Sequence, residues 1–192
     1  MTTLEMKYGA KDMVCTNFFR NPFPIWFTRS AKRIGTQDRE IIHLESTAVP
    51  PAPTYRPRGF ARAFEEMDVP LPEVPLIRIH VFERPEEKIK EVIRKYRPTA
   101  IIPSGPLSIP AMTALRELNL SVPEDISLVI YDDQQWAALT GITVVGHPMQ
   151  QIGNRIAEMM LMNMRNEDAI SGINHNVLDP YLVVRKSVRD IG

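Results

Sequence analysis

At 192 residues, 44% of them apolar and 24% charged, the chain has ordinary globular composition and enough apolar mass for a core of its own. Its 23 basic and 23 acidic residues cancel, so no overall field draws it to nucleic acid, whose binding rests on neutralising phosphates; a DNA contact would need another segment. Cys15 is the only cysteine, which excludes an internal disulfide and a cysteine metal site and fits a reducing, cytoplasmic compartment.

Glu5, Lys7, Lys11, Asp12 and Arg20 interrupt the N-terminal stretch, which therefore lacks the apolar core of a signal peptide. No apolar run approaches the roughly 20 residues of a membrane helix. Residues 1–38 mix aromatics and prolines without a period, and no element is assigned there. From Arg39 the pattern sharpens. "REIIHLE" is a short apolar strand, "STAVPPAPTYRPR" a proline-rich loop, and "GFARAFEEM" a helix with Phe60, Phe64 and Met67 on one stripe. "VPLIRIHVF" is the next strand. "RPEEKIKEVIRKY" opens with Pro85 and two glutamates and places Ile89, Val92, Ile93 and Tyr96 on one helical face.

"TAIIP" is a strand, and the helix in "PLSIPAMTALRELNL" must start late or kink, because Pro110 is tolerated only near a helix start. "ISLVIY" is a buried strand. "ITVVGHPMQQIGNRIAEMMLMNM" is a strand feeding a long helix with Met149, Ile152, Ile156 and Met159 expected on its inner face, and the tail "NHNVLDPYLVVRKSV" reads as a pair of strands. The methionines of that helix suit packing against a sheet or a partner subunit. Strands alternating with helices are βαβ units, so the fold class is α/β with a parallel sheet flanked by helices.

Ligands of open parallel sheets bind beyond the carboxyl ends of the strands. The residues there are Ser46 and Thr47, Phe82 and Glu83, Ser104 and Gly105, and Asp132 and Asp133, a polar rim suited to a polyol or a nucleobase. Asp132 is the best single candidate; Asp132 and Asp133 suit a cap and turn equally well, while a metal pair would need further oxygen ligands and finds only Glu83 at hand. Arg56, ahead of the "GFARAF" helix, is either a solvated loop residue or a planar fork for two ligand oxygens. "IIPSGPLS" is a poor phosphate loop because its prolines remove backbone donors, and Ser104 lacks the setting of a nucleophile. His43, His80, His147 and His175 are dispersed without metal-ligand spacing. No cofactor and no catalytic residue follow from these patterns.

The stretch "RPTAIIPSGPLSIPAMTALRELNLSVPEDISLVIYDD", with "ITVVGHPMQQIGNRIAEMML", "YLVVRKSV" and the upstream "TYRPRGFARAFEEMDVPLPE", resembles the C-terminal portion of the effector-binding domain of LacI/GalR-type transcription regulators. The resemblance spans residues 39–189. It implies a periplasmic-binding-protein-like fold of two α/β lobes with an incomplete N-terminal lobe, a small polar effector such as a sugar in the cleft between them, and a homodimer. DNA contact would come only through a helix-turn-helix not present here. The domain division is an uncertain segment 1–38 and a sensing domain 39–192. The family's effector contacts map to Asp132 and Arg56, with Ser104 as a third candidate. Where the family shows Asn-Asp, this chain has Ser104-Gly105 and loses an amide and a carboxylate from the expected cleft. A stand-alone solute-binding protein and a metal-dependent enzyme using Asp132 and Asp133 are the alternatives.

Overall fold

The computed structural model describes residues 41–47, 55–66, 68, 70–73, 76–164 and 178–189. They form one six-stranded sheet with helices on both faces. The strands are β1 (Ile41–Ser46), β2 (Leu76–Ile79), β3 (Ala100–Pro103), β4 (Ser127–Tyr131), β5 (Thr143–Gly146) and β6 (Tyr181–Val183), ordered β2-β1-β3-β4-β5-β6. The first five run parallel, as expected of a parallel sheet flanked by helices, and β6 pairs antiparallel to β5 at the edge. The chain leaves β1 to one side for β2 and returns to the other side for β3. The switch point, where such sheets open a crevice, therefore lies at the carboxyl ends of β1 and β3.

Each central strand is buried on both faces and sends alternate side chains to two cores. Ile42, Leu44, Ile101, Leu128, Ile130 and Val144 face α2 (Pro85–Tyr96) and α3 (Ser108–Glu117). Ile41, Ala100, Ile102, Val129, Tyr131 and Val145 face α1 (Tyr55–Glu66), which contributes Phe60, Ala63 and Phe64. A fully buried Phe stabilises by about 2–3 kcal/mol relative to an exposed one, so this pair fixes α1 against the sheet. Met67 lies outside the described residues. The helix begins at Tyr55, earlier than the Gly59 start expected, because Pro57 falls in its first turn, where no intrahelical N–H is required.

In α2, Pro85 opens the helix, Glu86 and Glu87 occupy the first turn and Arg94 and Lys95 the last, in keeping with the helix dipole. Ile89, Val92 and Ile93 are buried and Tyr96 packs at the margin, as expected. The late start expected before Pro110 is a single 3₁₀ turn, Gly105–Leu107, that leads into α3. A short helix unforeseen in the sequence, α4 (Gln135–Leu139), buries Ala137 between β4 and β5.

One expectation needs correction. Helix α5 (Met149–Met164) does not turn its full apolar stripe inward: Met149 is 68% and Ile156 47% exposed, while Ile152 and Met159 are half-buried. The described tail holds one strand, β6, and residues 174–177 of the expected pair lie outside the described residues. The uncertain segment 1–38 also lies outside them. No described helix is long and apolar enough to cross a membrane.

Candidate functional site

The carboxyl ends of β1, β3, β4 and β5 bring together Glu45, Ser104, Asp132 and His147, and the first turn of α1 adds Arg56. Period-two alternation puts His43 and Glu45 on the α1 side of β1. His43 is completely buried between aromatic rings, with its ring centroid 6.2 Å from that of Phe60 and 5.9 Å from that of Tyr131. Neither ring nitrogen has a hydrogen-bond partner, and burial, aided by the Arg56 charge, holds the imidazole far down, at a pKa of about 3. It is therefore neutral at physiological pH.

Glu45 Oε1 accepts from Arg56 Nη1 at 3.4 Å, while Oε2 lies 3.4 Å from His43 Nε2, a contact without hydrogen-bond geometry. Burial raises the Glu45 carboxyl above its usual range, against the opposing pull of Arg56 and Arg78. The Arg56 guanidinium also sits over the Tyr131 ring, 4.7 Å from its centroid, a cation–π contact that fixes the plane of the fork. Tyr131 is buried, and its phenol is pushed well above the usual tyrosine range.

Asp132 follows Tyr131 with φ at 72°, a left-handed conformation that is uncommon outside glycine. Its N–H donates to the Val145 carbonyl at 2.9 Å, so the residue is pinned to the end of β5. Its Oδ1 meets His147 Nε2 at 3.1 Å, and the side chain is 46% exposed. The hydrogen bond from His147 lowers the Asp132 carboxyl below its usual range; burial opposes this, and the charges of His147 and Arg56 reinforce it. The result is an ionised, half-exposed carboxylate held by one contact, with acceptor capacity to spare for ligand O–H or N–H groups.

Gly105 explains how that carboxylate fits. A Cβ at position 105 would stand 3.0 Å from Asp132 Oδ2. The carboxylate absent from position 105 thus coincides with Asp132 occupying the space where a side chain would begin. Ser104 is brought to the same place but lies beneath the rim. It is buried, its N–H donates to the Leu44 carbonyl at 2.7 Å, and its Oγ accepts the Ser46 N–H at 3.0 Å. It ties the ends of β1 and β3 together.

Asp133 points elsewhere. Its Oδ1 accepts from Arg185 Nη2 at 2.7 Å, and Arg185 Nη1 donates to the Ile142 carbonyl at 2.8 Å. The adjoining Ser187 Oγ accepts the Thr143 N–H and donates to the Leu128 carbonyl, so Asp133 belongs to the seam that fastens the tail to β4 and β5. No group of three His, Cys, Asp or Glu suited to a metal occurs among the described residues. At the far end of the rim, after β2, Phe82 is 84% exposed beside His80. Glu45 and His147 were missed from sequence. The signal was positional, since Glu45 is the penultimate residue of β1 and His147 directly follows β5.

The sequence pattern of the periplasmic binding protein-like domain family matches residues 36–188. Over 145 residues the chain is 33% identical to an arabinose metabolism transcriptional repressor of Geobacillus stearothermophilus, covering 71% of this chain and 40% of that protein. Over 144 residues it is 33% identical to the HTH-type transcriptional repressor PurR of Yersinia pestis (strain Pestoides F), covering 70% and 40%. The chain thus spans 40% of each of these relatives. Among solved structures, a LacI family transcriptional regulator of Enterococcus faecium with bound ribose superposes with a TM-score of 0.74 at 18% identity, over 92% of this chain and 65% of that one, a likeness of fold.

Proposed function

The chain belongs to the periplasmic binding protein-like domain family, and on that premise we propose that it is the effector-sensing portion of a bacterial LacI/GalR-type transcription regulator. It binds a small polar effector, a sugar in the first instance, between this lobe and a second one, and so controls DNA binding by a segment outside this chain. The observation that carries the reading is the convergence of Arg56 and Asp132 at the switch point. A fork of donors and an ionised acceptor meet where an open α/β sheet takes its ligand. Relatives named as repressors and a neighbour titled with bound ribose support the same class.

In this reading Asp132 accepts from ligand hydroxyls and Arg56 donates to them. Ser104 is a positioning residue that sets the spacing of β1 and β3, and Phe82 offers an aromatic face at the rim. The effector acts by population shift, favouring whichever lobe arrangement it binds more tightly, and no reaction is involved. The exposed side chains of Met149, Ile156, Met160 and Leu161 on α5 support the expected homodimer, and a regulator of this kind works in the cytoplasm. The metal-enzyme alternative is weakened because Asp133 is committed to Arg185.

The test is a thermal-shift screen of the purified chain against neutral monosaccharides, sugar phosphates, nucleobases and divalent metals. A ligand at 100 times its dissociation constant adds about 2.7 kcal/mol to the native state. Stabilisation by a neutral sugar supports the sensor. Stabilisation by metals alone, or by no compound, contradicts it.

A further inference from the structure

Arg56 by itself would make the strand ends a site for anions, since a guanidinium matches phosphate and carboxylate oxygens in pairs. The surroundings cancel that character. Glu45 is 18% exposed and lies 3.4 Å from the guanidinium, closer than any ligand could stand to both groups without displacing one. His43 cannot relieve Glu45 of its charge, because its buried ring has no hydrogen-bond partner and is neutral. Asp132 adds a second carboxylate that feels Arg56 across the site. His147 supplies an opposing charge only when protonated. Arg78, opposite Glu45 in the β1–β2 register, is exposed on an edge strand, and water and salt screen it.

We propose that Glu45 is a specificity-determining residue: by neutralising Arg56 it restricts the site to neutral or cationic polar ligands and excludes those bearing phosphate or carboxylate groups. This rests on the reading that Arg56 faces the ligand. A neutral polyol loses nothing by the pairing, because the guanidinium keeps donors beyond the one that Glu45 takes. A phosphate ester would bring two charges towards Glu45 and Asp132 and would have to break the ion pair to reach Arg56.

Sulfate, which remains dianionic across the usable pH range, is the probe. Calorimetric titration at constant ionic strength compares wild type, Glu45→Gln, Arg56→Ala and the Glu45→Gln/Arg56→Ala double variant. The proposal expects no saturable sulfate binding by wild type, a gain of at least about ten-fold in Glu45→Gln, and loss of that gain in the double variant. Glu45→Ala, which leaves no amide at a part-buried position, serves as a second carboxylate deletion should Glu45→Gln fold poorly. Equal sulfate affinity in wild type and the Glu45 variants overturns the proposal, as does a gain that survives Arg56→Ala. Wild-type binding that disappears in Arg56→Ala overturns it without any Glu45 variant. A sulfate gain at Arg56 with no sugar response would leave the Glu45 assignment standing while removing the sugar sensor, so the two failures are distinct.

Discussion

Asp132 and Asp133 are adjacent in sequence and opposite in fate. Asp133 closes an ion pair with an arginine that is itself hydrogen-bonded to the Ile142 carbonyl, within a seam where Ser187 and Thr143 are also paired. Asp132 stands half-exposed on a left-handed backbone, with His147 as its contact and Gly105 making room for it. The first arrangement satisfies every group and holds the tail in place. The second keeps an ionised acceptor and a strained φ at the carboxyl ends of the strands, a local cost of the kind that clusters at functional sites. In the proposed reading, the difference separates scaffold from site within two residues.

The comparison can be broken or sharpened in several ways. The largest effect is expected beneath the site, at His43. Its folded pKa of about 3 lies below the usual 6.5, so its contribution to stability is fully present above pH 6.5 and is lost as pH falls from there towards 3. Between pH 7 and pH 4 this amounts to roughly 3 kcal/mol, at about 1.36 kcal/mol per unit. Urea unfolding of wild type and His43→Leu at the two pH values should show the variant losing that much less on acidification; parallel losses would mean that His43 is not held neutral by the fold.

The seam comes next. Asp133→Ala should lower unfolding stability by about 1 to 2 kcal/mol, since it leaves the Arg185 guanidinium with its Ile142 carbonyl contact but no carboxylate, and a double-mutant cycle with Arg185→Ala should return a coupling of about 1 kcal/mol. Additive losses would dissolve the seam. The smallest effect on folding should come from Gly105→Ala, with a change within about 0.5 kcal/mol, because the backbone there is not left-handed. Its new Cβ pushes on Asp132 Oδ2, so effector affinity should nevertheless fall about ten-fold in a titration, and unchanged affinity would mean that the carboxylate need not sit over position 105.

The alternation of strands and helices from Arg39 onward was legible because each strand is a run of β-branched and apolar residues and the longer helices carry a clear period. Helix α4 was not, since five residues make less than two turns and show no period. The start of α1 was hidden by Pro57, which reads as loop but is equally at home in a first turn. In α5 the apolar period was visible, while what it faces depends on neighbours that sequence does not reveal. At the site, Asp132 was legible as a strand-end residue, whereas Arg56 read as a loop residue ahead of a helix that begins at Tyr55. Their meeting required the fold, because it runs through Tyr131, whose ring carries the guanidinium. Ser104 has the right position, but it is buried and its Oγ accepts the Ser46 N–H. Glu45 and His147 resembled ordinary strand and loop residues until β1 and β5 were set in register beside β4.

The most direct measurement is calorimetric titration of the best-stabilising neutral sugar into wild type, Asp132→Ala and Asp133→Ala in parallel. The account predicts that Asp132→Ala loses at least about 100-fold in affinity, the loss of a charged acceptor from the ligand. Asp133→Ala should bind as wild type does while unfolding more easily. Undiminished binding by Asp132→Ala, or binding that fails only in Asp133→Ala, would contradict the division of roles between the two carboxylates and the assignment of the site with it.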